Sequence, residues 1–383
     1  MLINKEWKEI TSYVYDNSMI KSVLLDKINL LNEHLDKIDH FVIHKGWIYG
    51  SHVKMIYTLK KDVNPSFDVV FRSEVESTLE KYRDVPIEID FQKKENIYKR
   101  IALLENFQGT FLPLRPHLSV YSQDFDIQSI QTIYDKEIYL MIEELKSRFI
   151  SSMYQDYYSY SEEEKDIFLV KLMVIMTDVK DPTNHSSEIG NDEIKYRYLT
   201  FRSHYEGFVA QLKANDTPAN QKIREELHRD SKEMIHFIDQ EFPLFLNSFR
   251  ENLVGYEERD KKYLVDWSHV VQSFLKIYAE ALETGKVEMN EFQGIDRFLD
   301  HNKEHLSEFH KRIFSDQEFK EFFGSFAILK HRFSINSFYS LLPILSVSPL
   351  RKHKLCKNVA KGVEGYYKIN YSDIIDELIT DIS

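Results

Sequence analysis

The sequence is short of the residues that break or cross-link a chain. Eleven Gly and nine Pro are spread over 383 residues, where average usage of the two is near 12 %. That scarcity of turn punctuation excludes collagen and low-complexity disorder and favours helix over strand. One cysteine, Cys356, cannot form an internal disulfide; this excludes a disulfide scaffold and fits a reducing cytoplasm. No run approaches the ~20 apolar residues of a membrane span. The first residues, MLINKEWKEI, lack the apolar centre of a secretory signal. Basic residues are outnumbered, 50 against 62 acidic, for a net charge of −12. Bulk attraction to nucleic acid is therefore not expected. What is abundant is aromatic and charged: 26 Phe, 23 Tyr and 29 % charged residues. This is the composition of a mainly helical protein with an ample core, long enough for one large domain or two.

The pattern along the chain is mixed at first. Residues 19–38 place Ile20, Leu24, Ile28 and Leu31 at helical spacing. Residues 41–44 and 52–59 read as strands across a segment with two glycines. Residues 66–82 and 92–105 read as helices, and 117–122 as one more strand after the loop Gly109–Pro116. From residue 126 the helical signal dominates. Ile127, Ile130, Tyr134, Ile138, Met141, Leu145 and Phe149 form one apolar stripe. Residues 162–177 open on a capping box, Ser161 with Glu164. A polar loop is expected at 178–195. Helices follow at 199–213, 218–239, 258–284, 287–300, 316–330, 334–345, 348–364 and 372–381. The expectation is an α+β fold, mainly helical: a small mixed portion, 1–125, packed on a helical portion, 126–383.

Four clusters carry candidate chemistry. Phe201 to Phe208 (FRSHYEGF) puts Arg202, Ser203, His204 and Glu206 within five residues. A histidine is the natural acid–base group near neutral pH. If the segment is helical, Arg202 and His204 lie about 200° apart and face different places; if extended, they share a face. The plainer reading is a helix with Phe201, Tyr205 and Phe208 inward and Arg202–Glu206 as a surface pair. On a strand from His52, His52 and Lys54 point the same way and could hold a carboxylate; an ordinary solvated strand face is the alternative. Arg351, Lys352, His353, Lys354 and Lys357 form the strongest basic run in an acidic chain, suited to an acidic peptide or simply solvated. Ser337 and Tyr339 lie just before it. Glu225-x-x-His228 and Glu233-x-x-His236 have di-iron spacing, but both fall on one expected helix, where a di-metal site needs several helices. Gly-rich phosphate loops, nucleophile elbows and zinc spacings are not found in the sequence. Cys356 sits in an apolar helical pattern, as a buried structural thiol would.

The order of these clusters resembles a known family. A G-x-H-V-basic strand (Trp47 to Tyr57) comes first, then a P-L-x-P loop and a strand ending in Tyr (Pro113 to Tyr121). F-R-S-H-x-E-G-F (Phe201 to Phe208) follows. Last comes L-P-x-L-x-V-S-P-x-R-x-x-x-L-C-x-x-V-A-x-x-V-E (Leu342 to Glu364). Together they resemble the thiopeptide-type bacteriocin biosynthesis proteins, free-standing relatives of the lantibiotic dehydratase C-terminal domain. The likeness spans residues 45–365 or so and implies the fold of that elimination domain.

The resemblance implies work on a ribosomally made, leader-bearing peptide in the cytoplasm. Two reactions occur in the family. One eliminates glutamate from glutamylated Ser or Thr. The other joins two dehydroalanines in a formal aza-[4+2] cycloaddition to a pyridine-type ring, with loss of the leader. Neither needs a metal or organic cofactor. Eliminating relatives carry arginines on the strand matching His52–Tyr57. Here Lys54 and Ile56 stand at the alternating positions, and Ile cannot clamp a carboxylate. That departure favours cycloaddition over glutamate elimination. The resemblance then implies His204 and Tyr339 as proton-handling groups, with Arg202, Ser203 or Lys54 orienting an amide. Substrate contacts would come from His52, Lys54, Glu206, Ser337, Arg351 and Lys354. The acidic leader would dock on 351–357, with Lys330 and Arg332 before it. A non-catalytic leader-binding scaffold and an unrelated helical metalloenzyme are the alternatives. Other peptide-modifying enzymes are the expected partners, and a homodimer is left open.

Overall fold

The structure, a computed structural model, describes residues 2–104, 107–130, 132–183, 194–254, 256, 259–287, 306–315, 317 and 325–382. Contacts divide it into two compact units, one through Ser159 and one from Tyr160.

The first unit is built on β1 (Lys8–Tyr13), α1 (Met19–Glu33), β2 (Ile38–Gly46), β3 (His52–Leu59), α2 (Phe67–Glu80), α3 (Phe91–Leu104), β4 (Val120–Asp124) and α4 (Lys136–Ser159). The sheet runs β2-β3-β1-β4, antiparallel throughout. Its central strand β1 was not expected from the sequence. Lys-Glu-Ile-Thr-Ser-Tyr lacks an apolar face, because one side carries Glu9 and Thr11, both buried. Those polar groups bond each other and Lys54, so burial does not strand them. The hairpin needs its glycines: Gly50 has φ +124°, and a Cβ there would collide with the Tyr15 hydroxyl. This compact unit runs through Ser159, with α4 packed against β2 of its sheet. Ser147 accepts the Ile43 amide at 2.9 Å, and Glu144 holds His40. The apolar stripe expected from 127 begins its helix only at Lys136. Ile127 instead closes a small core with Trp7, Val42, Ile56 and Leu140.

The second unit is helical. α5 (Glu162–Asp178) starts on the expected capping box and buries every residue from Phe168 to Thr177. A helix apolar on all sides must be surrounded. Its neighbours include α9 (Lys232–His236), α10 (Phe242–Arg250), α11 (Lys261–Glu283) and α14 (Pro349–Tyr367). Also present are the single turn α6 (Ile194–Arg197), α7 (Leu199–Ala214), α8 (Pro218–His228), α12 (Glu308–Ser315), α13 (Phe326–Leu341) and α15 (Tyr371–Ile382). The helix expected over 218–239 is broken. Thr217 and Ser231 each cap a new start, so the two Glu-x-x-His copies lie on separate short helices. α13 is continuous across the expected gap at 331–333. The helix expected at 287–300, the centre of the loop at 184–193 and most of 316–324 lie outside the described residues. Among the described residues no helix is long and apolar enough to cross a membrane.

Candidate active site

The FRSHYEGF segment is helical, on α7, so Arg202 and His204 face different neighbours as the helical count required. Residues 202–208 are all half-buried. The helix presents three faces, each against a different partner.

One face meets α13 and α14. The His204 ring stands edge-on to Tyr339, 4.8 Å between centroids and 88° between planes. One turn on, Phe208 stacks flat on His353 at 4.1 Å. The Lys352 ammonium lies 4.9 Å from the centre of the Tyr339 ring. Burial pushes the His204 imidazole down to about 3, aided by Lys352, His353, Arg332 and His310 around it. Burial, with Lys352, holds His353 at about 4. Both rings are therefore neutral at pH 7. Among the described residues no hydrogen bond engages the His204 ring nitrogens. One accepts and one donates in the neutral form, so the ring can hand a proton either way. The Tyr339 hydroxyl bonds the buried Cys356 thiol at 3.3 Å. Burial drives this phenol well above its usual range and the thiol up to about 12. Tyr339 thus stays protonated, and Cys356 is no thiolate nucleophile.

The second face is an ion-pair lock. Arg202 bonds Glu206 at 2.7 Å and both Glu364 oxygens at 3.2 Å, and it lies 4.7 Å over Tyr371. Tyr198 also reaches Glu364. Arg202 and Glu206 were both expected at the substrate; Arg202 ties α7 to α14 through Glu364, and Glu206 pairs with Arg202 along α7. The third face meets α12: Ser203 Oγ lies 2.9 Å from His310 Nε2, and His310 Nδ1 lies 2.7 Å from Ser307 Oγ.

Other expected contacts are placed elsewhere. Ser337, expected as a substrate contact, is buried against α11 and bonded to Tyr278 at 2.6 Å. The basic run splits by helical side. Arg351 pairs with Asp166 and Glu162, each at 2.5 Å, and Lys357 pairs with Asp230 at 2.7 Å. Lys354 stands 3.9 Å from Glu226. Lys330 is buried on Asp181 at 2.5 Å. These cations are neutralised within the unit, which leaves Lys352 and His353 turned to His204 and Tyr339. Among the described residues no cluster of three His, Cys, Asp or Glu could hold a metal.

In the first unit, His52 and Lys54 do share a sheet face. Lys54 is bound to buried Glu9 at 3.0 Å, and Thr11 and Gln123 complete the Glu9 shell. His52 donates from Nδ1 to the Gly50 carbonyl at 2.8 Å and is held near 4 by burial. Its ring fills the space that a Cβ on Gly46 would take. Ile56 is in the core. The strand's two polar side chains are spent on the fold. Glu9 and His310 were missed in the sequence. Glu9 sits on the unrecognised strand, and His310 lies about a hundred residues from its partner Ser203 with no motif around it.

No protein-family model matches the chain, and no curated protein matches it. Solved structures do. One is a pyridine synthase, TbtD, from thiomuracin biosynthesis, with a TM-score of 0.64 and 14 % identity over 95 % of this chain and 99 % of that one. The fold is that of the pyridine synthase. TsrL shares it at a TM-score of 0.53 and 12 % identity, over 97 % and 98 % of the two chains. The likeness therefore runs the length of the molecule, and the α+β, mainly helical architecture holds for all three.

Proposed function

We propose that this protein is a tailoring enzyme for a ribosomally made, thiopeptide-like peptide. It would form a pyridine-type ring from two dehydroalanines by formal aza-[4+2] cycloaddition and release the leader. The full-length likeness of fold to a pyridine synthase supports the class. The choice against glutamate elimination rests on one observation. The strand positions where eliminating relatives hold arginines carry Lys54, bound to Glu9, and Ile56, buried in the core.

The chemistry asks for little from the protein. Two alkenes must be held at near-attack distance, which is mainly orientation. One amide must pass to its iminol, and water and the leader amide must leave. Each of those steps moves a proton. A neutral His204 takes the amide N–H proton and returns it to the oxygen. Tyr339, held protonated, keeps an O–H that can hydrogen-bond the developing oxygen. The positive field of Lys352 and Arg332 stabilises negative charge developing on that oxygen. Arg202 acts as a positioning residue, holding α7 against α14. The precursor peptide is the partner, and other modifying enzymes supply its dehydroalanines. The experiment is a challenge with two substrates, a dehydrated leader-bearing peptide and a glutamylated one, read by mass spectrometry. His204→Ala and Tyr339→Phe are run beside the parent. Ring formation lost in the variants supports the reading. Glutamate loss from the second peptide makes the protein a lyase, and binding with no mass change makes it a scaffold. Unchanged turnover in both variants removes these residues from the mechanism.

A further inference from the structure

The third face of α7 holds a buried histidine between two hydroxyls. His310 is 6 % exposed, and both its ring nitrogens are engaged: Nε2 with Ser203 Oγ at 2.9 Å, Nδ1 with Ser307 Oγ at 2.7 Å. Ser307 Oγ also accepts the His310 amide at 3.2 Å, which fixes it at the start of α12. A serine inside a helix usually bonds back to its own helix's carbonyls; Ser203 is aimed at His310 instead. Gly207 faces the ring, and a Cβ there would meet His310 Cε1 at 3.4 Å, an ordinary van der Waals contact. Burial holds the imidazole near 4, which keeps it neutral.

We propose that Ser203, His310 and Ser307 form a proton relay beside His204, moving protons between the α7 face and the half-exposed Ser307. The need for it rests on the cyclisation reading, in which protons are taken up and released. The step balances without charge on the ring. A proton leaves the substrate for Ser203 Oγ as the Ser203 hydroxyl proton passes to Nε2. The Nδ1 proton passes to Ser307 Oγ, and the Ser307 hydroxyl proton passes to water. Four bonds to hydrogen break and four form, and the imidazole ends in its other neutral tautomer. Nothing is oxidised or reduced. Ser203 is the end that meets substrate; His310 and Ser307 act through it.

The test has one arm independent of turnover. Nitrogen NMR of the full chain with ¹⁵N-labelled histidine reads the His310 tautomers. The expected result is two exchanging neutral tautomers above about pH 5, shifted by Ser307→Ala. A single fixed tautomer, unmoved by that variant, overturns the relay whether or not the enzyme cyclises anything. The second arm uses the dehydrated peptide. His310→Gln keeps one donor and one acceptor but cannot pass a proton. It should lower turnover at least tenfold with peptide affinity unchanged and reduce the solvent deuterium isotope effect. Ser307→Ala, which leaves the Ser203–His310 bond intact, should act in the same direction. Full turnover in both folded variants overturns the relay. A parent that makes no ring refutes the cyclisation reading and leaves the tautomer measurement to decide the relay.

Discussion

Removing Arg202 separates its two readings, a group that touches substrate and a lock between helices. In the structure its guanidinium bonds Glu206 and both oxygens of Glu364, with both partners of the α7–α14 pair about 19 % exposed. Deleting one partner of a fully buried pair costs about 3–5 kcal/mol, while a fully exposed pair contributes about 0–1 kcal/mol. At this exposure Arg202→Met should cost about 2 kcal/mol. For 383 residues unfolding together that is a drop of roughly 2–3 °C in Tm. The cost should depend on pH. Burial already raises Glu364 above the usual carboxylate range despite Arg202. Without the guanidinium it rises further. A group raised on folding favours the fold below its unfolded value and loses that support as pH climbs through the folded one. The variant's deficit should therefore be largest at pH 7 and shrink on acidification. Urea denaturation at several pH values measures it. Arg202→Met/Glu364→Gln should recover part of the loss, since no buried charge is left alone. An Arg202→Met protein as stable as the parent, yet inactive, would refute the lock and make Arg202 a substrate contact.

Three further outcomes follow from the same structure. His204, His310 and His353 are all held low by burial, at about 3, 4 and 4. The unfolded chain thus binds more protons below about pH 6.5. Stability should fall between pH 7 and 5, and His353→Gln should flatten that slope in urea titrations; an unchanged slope contradicts a neutral His353. Glu9→Ala strips Lys54, Thr11 and Gln123 of their shared acceptor and should cost about 1–3 kcal/mol by chemical denaturation; a neutral effect would mean Lys54 is available for substrate. Ser337→Ala and Arg351→Ala should lower stability by about 1 kcal/mol each or less while leaving precursor affinity intact by calorimetry. A tenfold affinity loss in either returns that residue to the binding surface.

The helices were legible where a stripe or a cap marked them. Ser161 with Glu164 and Ser348 with Pro349 each begin a helix as read. β1 was not, because its buried face is polar and balanced by Lys54 across the sheet. The break between α8 and α9 was hidden because periodicity continues through Arg229–Ser231, while the caps on either side stop the helix. At the site, His204 and Tyr339, paired only through the family resemblance and far apart in sequence, have ring centroids 4.8 Å apart. Charge was the poorer guide. A basic run reads as one patch in sequence, yet around a helix Arg351 and Lys357 turn to acidic neighbours and Lys352 turns to Tyr339. His310 could not be read at all, since only the tertiary fold sets it beside Ser203.

The central claim is ring formation, and product analysis after incubation with a doubly dehydrated, leader-bearing peptide tests it most directly. The account predicts two new masses, a free leader carrying a C-terminal amide and a macrocycle lacking that leader and one water. Peptide recovered at its starting mass, with or without binding, would contradict it.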